Sequence, residues 1–443
     1  MLKIINRLSE KQLLIYLLII GFITRLLFLS TYFGVTISGD STDYIRLAQT
    51  ITDLDITQYK GRRTPGYSIL IAVLQNKLIY VVVLQLLLGL LNLYLLYKFV
   101  KLLSNKIVAF STTIFYNLFT HILFYETAIL TESLTTTLIV VSVWFMVKFK
   151  LFDVKTSFKK YVFFAILLSF IYLTKPMFIY IPLGFLLFYI LKNWKNKKQL
   201  TKPLTTFIIC FFVYIGWNQF NKSQIGYFTN TQYFGINLAQ TATPFFEKTP
   251  DKDSKIRNLI VKHRDSVLKI KSNLDADAMV VWFAYKDLKR ETNLSDLELS
   301  NKLGSISKKL IKKHPKEYIK QVGKSWLLFW GKPHLYLNKT NFTQKSFSYI
   351  HRLLWFNFLG YIVVLFNILF LFSFTRTLFT FIKNKSILFS YTFFISSIVI
   401  VGSIAQALVA YGNNSRFCVP FLPLIIYVVI SNIFKFTTSK TKT

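Results

Sequence analysis

Between Asp40 and Tyr67 the chain gathers side chains able to move protons and grip anions: Asp40, Asp43, Tyr44, Arg62, Arg63 and Tyr67. Asp40 and Asp43 stand one helical turn apart, so a helix over DSTDY turns both carboxylates to one side. Paired carboxylates can take up a proton or hold a cation, and adjacent arginines match the geometry of a phosphate. Plainer roles exist for each. Asp40 follows Gly39 and could simply cap a helix running through Ile45, Leu47, Ala48 and Ile51. Arg62 and Arg63 could snorkel toward lipid headgroups. The gathering of both signs in one short stretch favours a site built on Asp40 and Asp43.

Other chemistry-bearing residues recur at the ends of apolar runs. Glu126 and Glu132 bracket YETAILTES, where they can serve a site or neutralise Arg25 in the first apolar run. Lys175, in LTKP, is a phosphate partner or a snorkelling lysine. Arg416 follows the turn residues Gly412, Asn413 and Asn414 and offers a second phosphate contact. The histidines His121, His263, His314, His334 and His351 lack metal-ligand spacing. Cys210 and Cys418 both sit in apolar runs, where free cysteine is usually an inert packing residue.

The elements that must position these groups are membrane helices. The chain of 443 residues is 53% apolar, with 45 Phe and only 16% charged residues, too apolar for a set of soluble domains. We read an all-α polytopic bundle of about ten spans: 12–33, 78–100, 107–123, 130–148, 161–174, 177–191, 204–220, 352–374, 386–407 and 417–434. The first lacks a small-residue cleavage site after it and reads as a retained helix. Basic clusters such as Lys3, Arg7 and Lys11, or Lys148, Lys150 and Lys155, or Lys192, Lys195 and Lys198, or Lys435, Lys440 and Lys442, fall on every second loop. The positive-inside rule then places both termini in the cytoplasm and the loop 34–77 outside. The formal charge of +35 comes largely from these anchors, which flank spans instead of forming one face, so nucleic acid is not a partner.

Three blocks follow: a bundle over 1–220 carrying the outer loop 34–77, a mostly helical outer segment over 221–351, and further spans over 352–443. Within the outer segment, Asp275 to Arg290 places Met279, Val280, Phe283 and Leu288 at helical spacing. Ser295 and Glu298 form a capping box for a helix to about Lys313. Past His314 and Pro315, an amphipathic helix is expected on the membrane surface, with Trp326, Phe329 and Trp330 as interfacial anchors. Pro65 to Leu74 reads as a short surface helix with Pro65 in its first turn.

Four stretches in order resemble the polytopic glycosyltransferases of the GT-C type, in particular bacterial relatives of protein O-mannosyltransferases and lipid A aminoarabinose transferases. They are Asp40 to Tyr44, Arg63 to Tyr67, Glu126 to Glu132, and Ser415 to Pro423; IKKHPKEYIK ahead of an aromatic run also fits. The resemblance implies an inverting transferase of the bacterial inner membrane with an extracytoplasmic site. Its donor would be a polyprenyl-phosphate-linked sugar, hexosyl or pentosyl, drawn from the membrane lipid. Its acceptor would be a glycan, lipid or protein hydroxyl. Asp40 falls at the catalytic carboxylate, with Asp43 beside it, and Tyr44, Arg62, Arg63, Tyr67, Glu126, Glu132, Lys175 and Arg416 fall in the substrate region. Metal-holding relatives often carry a carboxylate just before the proline, where this chain has Arg63 and Thr64. That departure argues against a divalent metal, and no other cofactor is implied. A transporter or flippase of lipid-linked saccharides would use the same groups, but no inverted repeat is visible.

Overall fold

The computed structural model describes residues 5, 7–194, 200–383, 389–412 and 414–440. Lys3, Lys195, Lys198, Lys442 and Asn413 lie outside the described residues. The first block runs α1 (Glu10–Thr31), α2 (Gly39–Thr52), α3 (Pro65–Val73), α4 (Leu78–Leu103), α5 (Lys106–Leu118), α6 (His121–Thr127), α7 (Thr131–Lys148), α8 (Phe158–Thr174), α9 (Tyr180–Lys192) and α10 (Thr201–Ile225). Next come α11 (Phe234–Ala242), α12 (Ser254–Ile270), α13 (Val280–Phe283), α14 (Tyr285–Thr292), α15 (Asp296–Lys313) and α16 (Pro315–Phe329). The chain closes with α17 (Lys345–Leu354), α18 (Gly360–Lys383), α19 (Tyr391–Val409) and α20 (Leu422–Lys440). Among the described residues the only β pairing is two isolated bridges, Tyr32 with Phe342 and Thr36 with Ala128.

The described residues of the ten apolar runs read from the sequence lie largely in helices, and the protein is a multi-pass membrane bundle. Six stretches are long and apolar enough to cross alone: α1, α4, α10, the run Lys345–Thr380, α19 and Asn414–Lys435. The run expected as a straight third span is broken instead into α5 and α6, bent by 66°. Phe119, at the end of α5, leaves helical geometry with ψ 78°. The helices α7, α8 and α9 are shorter or open on polar residues, as in the TESLTTT start of α7. A shared core joins Leu93, Leu96, Val140, Phe164, Phe185 and Ile425 from five helices.

A second core holds the outer segment together, with Ile236, Phe246, Val280, Leu288, Leu299 and Leu303 at its centre. The Ser295–Glu298 capping box starts α15 as expected. Gly235 lies against that helix: a Cβ there would sit 1.8 Å from the Ser300 carbonyl oxygen. Two expectations are corrected here. Asp275 to Arg290 is not one helix but a turn followed by the short α13 and α14, so Met279 and Phe283 face outward while Val280 and Leu288 are buried. The aromatic end of α16 turns into the bundle instead of out to the interface: Phe329 and Trp330 are buried, and Trp326 donates to Ser403 Oγ at 2.9 Å.

The outer loop that carries the carboxylates is ordered by local caps. Ser38, not Asp40, occupies the N-cap of α2, and Ser41 Oγ accepts from the Ser38 N–H at 2.9 Å. Asp40 therefore sits in the first turn with its carboxylate free for other work. Pro65 opens α3, where a missing N–H costs nothing. Gly66 lets α3 press onto the end of α8: a Cβ there would lie 2.7 Å from the Leu173 carbonyl carbon and the Thr174 nitrogen. Gly66→Ala should therefore push α3 off α8 and cost about 1–3 kcal/mol by overpacking. The expected readout is a lower thermal midpoint of the purified protein in detergent; an unchanged midpoint would contradict this packing.

Candidate active site

Arg63 is the hinge between the two aspartates. Its Nη2 donates to Asp40 Oδ1 at 2.6 Å, and its Nε lies 3.7 Å from Asp43 Oδ2. The guanidinium is stacked over Tyr44 at 4.9 Å and Tyr233 at 5.2 Å from the ring centroids, an arrangement in which ring faces stabilise the cation. Arg62 takes the other side of Asp43, with Nη1 3.1 Å from Asp43 Oδ1 and Nη2 3.0 Å from Asp296 Oδ2. Lys289 also donates to Asp296, at 2.7 Å. Tyr233 donates its hydroxyl to Asp43 Oδ2 at 2.7 Å. The i, i+3 spacing thus brings both carboxylates into one network, as the sequence predicts.

Arg416 closes the network from the far end of the chain. Its Nη1 donates to Asp40 Oδ2 at 2.6 Å, while Nε and Nη2 grip the two oxygens of Glu132 at 2.6 and 3.1 Å. Nη1 also reaches the Tyr336 hydroxyl at 3.2 Å. Lys175, released from α8 at its C-cap, donates to Glu132 Oε1 at 2.7 Å and lies over the Phe417 ring. Glu132 is fully buried, Arg416 is 11% exposed and Asp40 is 38% exposed. Asp40 is thus the carboxylate of this cluster most open to an incoming molecule.

The remaining sequence candidates, Tyr67 and Glu126, are buried. Tyr67 is buried, meets Tyr44 edge to face and donates to Gln85 Oε1 at 3.0 Å. Ser68 holds the Tyr44 carbonyl at 2.9 Å. These contacts fix α3 against α2 and so position the ring beneath Arg63. Glu126 pairs with Arg25 at 2.6 Å inside the bundle, the neutralising role weighed for it above, and among the described residues no hydrogen bond or ion pair joins it to the Asp40 cluster.

Electrostatics at Asp40 are set by two opposing effects. Burial pushes its carboxyl up, and the charges and hydrogen bonds of Arg63 and Arg416 more than offset this, holding it well below its ordinary value of 3.8. At Tyr233, burial and then the Asp43 carboxylate push the hydroxyl above the ordinary range. Asp40, Asp43, Glu132 and Asp296 face Arg62, Arg63, Lys175, Lys289 and Arg416, so the cluster carries a small positive excess suited to an anion. A cavity of about 430 Å³ opens beside α2, with Asp43, Arg46, Gln49, Asp53, Lys60 and Arg62 in its walls. Asp40 is not among those walls.

A divalent metal does not fit this donor set. Both oxygens of Asp40 and both of Glu132 already accept from guanidinium or ammonium groups. Arg63, beside both aspartates, supplies positive charge. Among the described residues no three His, Cys, Asp or Glu side chains group for a metal.

Sequence reasoning missed Tyr233, Asp296 and Tyr336. Tyr233 and Tyr336 are single polar rings in stretches without periodicity, and Asp296 looks like an ordinary first-turn acid of α15. Only the aromatic richness of both stretches offered a signal.

Residues 67–217, about a third of the chain, match the family described as dolichyl-phosphate-mannose-protein mannosyltransferase. No curated protein matches the sequence. Among solved structures, archaeal oligosaccharyltransferase AglB from Archaeoglobus fulgidus, in complex with an inhibitory peptide and a dolichol-phosphate, matches at TM-score 0.50 and 12% identity, over 98% of this chain and 52% of that one. The Archaeoglobus fulgidus oligosaccharyltransferase in complex with Zn and sulfate matches at TM-score 0.50 and 12% identity, over 96% of this chain and 49% of that one. ArnT from Cupriavidus metallidurans bound to undecaprenyl phosphate matches at TM-score 0.40 and 11% identity, over 96% of this chain and 79% of that one. The chain spans about half the length of the archaeal enzymes. The chain shares the fold of the Archaeoglobus fulgidus oligosaccharyltransferase over nearly its whole length, in line with the fold that the resemblance read from the sequence implies.

Removing Arg416 tests whether this buried network is as interdependent as its geometry. Arg416→Met leaves Glu132 and Asp40 each short of a partner and should cost about 3–5 kcal/mol. The double variant Asp40→Asn with Arg416→Met should recover part of that loss, because Glu132 keeps Lys175 and Arg63 keeps Asp43, so no buried charge is left without a partner. Thermal unfolding in detergent reads both; equal losses in single and double variants would dissolve the coupling.

Proposed function

We propose that this protein is an integral-membrane glycosyltransferase. It moves a sugar from a polyprenyl-phosphate donor to the hydroxyl of a glycan, lipid or protein acceptor, on the extracytoplasmic side of a bacterial plasma membrane and with inversion. One observation carries the reading: a partly open carboxylate, Asp40, bridged by the two guanidiniums of Arg63 and Arg416. The match over 67–217 and the shared fold support it.

In the proposed reaction the acceptor oxygen attacks the anomeric carbon from the face opposite the phosphate. The acceptor proton passes to Asp40 as the new C–O bond forms. The old bond to the phosphate oxygen breaks, and polyprenyl phosphate leaves with one more negative charge than it carried in the donor. Preorganised cations aimed at that growing charge act on the transition state. Arg63 and Arg416 are placed to do this, since both already touch Asp40. Each can move a donor from the carboxylate to the phosphate, and the carboxylate so released becomes a stronger base. Asp43, held by Arg62 and Tyr233, keeps its charge and fixes the position of Arg63.

Asp40→Asn keeps the shape and removes the proton acceptor, so transfer should fall by about 10²–10⁴-fold. Mass spectrometry of free polyprenyl phosphate released by purified protein checks this. An Asp40→Asn variant that is expressed normally and fully active would sink the proposal, and wild-type protein that binds the lipid without releasing phosphate would favour a transporter.

The pH dependence follows from Asp40's lowered value. The free enzyme keeps Asp40 ionised down to below pH 3.8, so this group gives kcat/KM no acid limb across the neutral range. Arg63→Gln removes one of the two guanidiniums that hold the value down. Its kcat/KM profile should acquire an acid limb at higher pH than the wild type; identical limbs would contradict Arg63 as the controlling charge.

A further inference from the structure

Every cation offered by the sequence as a phosphate contact is already engaged: Arg62 with Asp43 and Asp296, Arg63 with Asp40, Lys175 with Glu132, and Arg416 with Glu132 and Asp40. A different set is not. Lys339, Lys345 and Arg352 have no ion pair to a carboxylate among the described residues. All three line one groove of about 860 Å³, together with Phe342, Tyr349 and Phe356.

The groove is built by α17. Lys345, Tyr349, Arg352 and Phe356 recur at helical spacing and so share one face. The opposite face is seated on the bundle: the His351 ring nitrogen bonds Thr31 Oγ1 at 2.9 Å, and the ring packs on Phe28 and Phe124. The exposed face is both cationic and apolar, with Tyr349 69% and Phe356 51% exposed. α17 is the outset of the long apolar run Lys345–Thr380, so this face stands where a membrane span emerges. Thr343 N donates to the Thr31 carbonyl at 3.1 Å, which places the groove on the membrane face from which α1 leads to Asp40. Asp40, Arg63 and Arg416 do not line it.

We propose that this groove is a binding site for an anionic phospholipid of the surrounding leaflet. The phosphodiester sits between Lys339 and Arg352, with Lys345 adding charge, and the glycerol and upper acyl chains lie along Phe342, Tyr349 and Phe356. A soluble anion would leave that aromatic wall facing water or lipid without a partner. A zwitterionic lipid would bring its own cation against three others. The occupant holds α17 at the interface, and its binding does not depend on the transferase reading.

The test uses the full chain purified in dodecyl maltoside and delipidated. Dioleoylphosphatidylglycerol, dioleoylphosphatidylcholine, inorganic phosphate and undecaprenyl phosphate are each titrated, with adducts counted by native mass spectrometry and thermal midpoints measured. Dioleoylphosphatidylglycerol should bind and raise the midpoint, whereas phosphatidylcholine and inorganic phosphate should not. Lys339→Gln with Arg352→Gln should weaken phosphatidylglycerol binding roughly thirtyfold, at about 1 kcal/mol per basic charge near a membrane surface. Lys339→Arg with Arg352→Lys, which keeps both charges, should bind as the wild type and so separates lost charge from lost fold. Equal binding of phosphatidylglycerol and phosphatidylcholine, or undiminished binding in the Gln variant, would overturn the site. So would displacement of phosphatidylglycerol by undecaprenyl phosphate at equal or lower concentration, which would assign the groove to a carrier lipid.

Discussion

Arg416 binds together groups that no local segment could bring into contact. It reaches Asp40 across 376 positions of sequence and Glu132 across 284. Taking any of these three charges out of water alone is expensive at the edge of a hydrocarbon layer. The bundle must therefore be closed, last span against first loop and fourth span, before any of them is neutralised. Lys175 meets the same demand at the break after α8. The helix ends, the Pro176 interruption and the polar start of α7 are the features that let these side chains converge. Without that convergence the polar TESLTTT turn and Arg416 would be poor choices for buried helix ends.

The outer segment and the bundle divide the two aspartates between them. Asp40 answers to Arg416 and Arg63, both held by the bundle and its first loop. Asp43 answers also to Tyr233 and, through Arg62, to Asp296, which belong to the outer segment. Those two residues are carried by one rigid core: Tyr233 immediately precedes α11, Asp296 opens α15, and the two helices touch at Gly235 and Ser300. Ser300 Oγ also donates to the Gln232 carbonyl. A shift of the outer segment would thus be felt first at Asp43 and Arg62, and at Asp40 through Arg63, which stacks on Tyr233, and through Arg416, which contacts Tyr336.

What was legible in the sequence follows how local each cause is. Apolar runs of spanning length are a property of contiguous residues, so the membrane helices were legible, although among the described residues six stretches, not ten, are long and apolar enough to cross alone. The carboxylate pair, the Arg62–Arg63 pair and the Ser295–Glu298 cap are likewise short-range patterns. Glu126 and Glu132 could not be told apart, because both lie at the turn that leads into α7 and only their distant partners, Arg25 for one and Arg416 for the other, separate them. The phase of 275–290 failed where a turn interrupts the helical period, leaving Met279 and Phe283 outside. Tyr233, Tyr336 and Asp296 are single residues whose meaning lies wholly in distant partners. A pattern search has no purchase on them.

A resting site in which every cation is matched to a carboxylate has a consequence for the proposed chemistry. A carboxylate held by two guanidiniums is a weak base, and an acceptor hydroxyl arriving first would find Asp40 unable to help it. A donor arriving first brings a phosphodiester that competes for the same N–H groups. Arg63 is suited to yield, because its stacking on Tyr44 and Tyr233 is insensitive to which oxygen its edge contacts. Arg416 is less free, since Glu132 holds two of its nitrogens. The exchange therefore falls to Arg63: it moves toward the phosphate, Asp40 loses one of its two partners, and its basicity rises only while the donor is bound. On the proposed reaction, the same electrostatic pairing that permits burial of these groups also sets the order in which substrates become reactive.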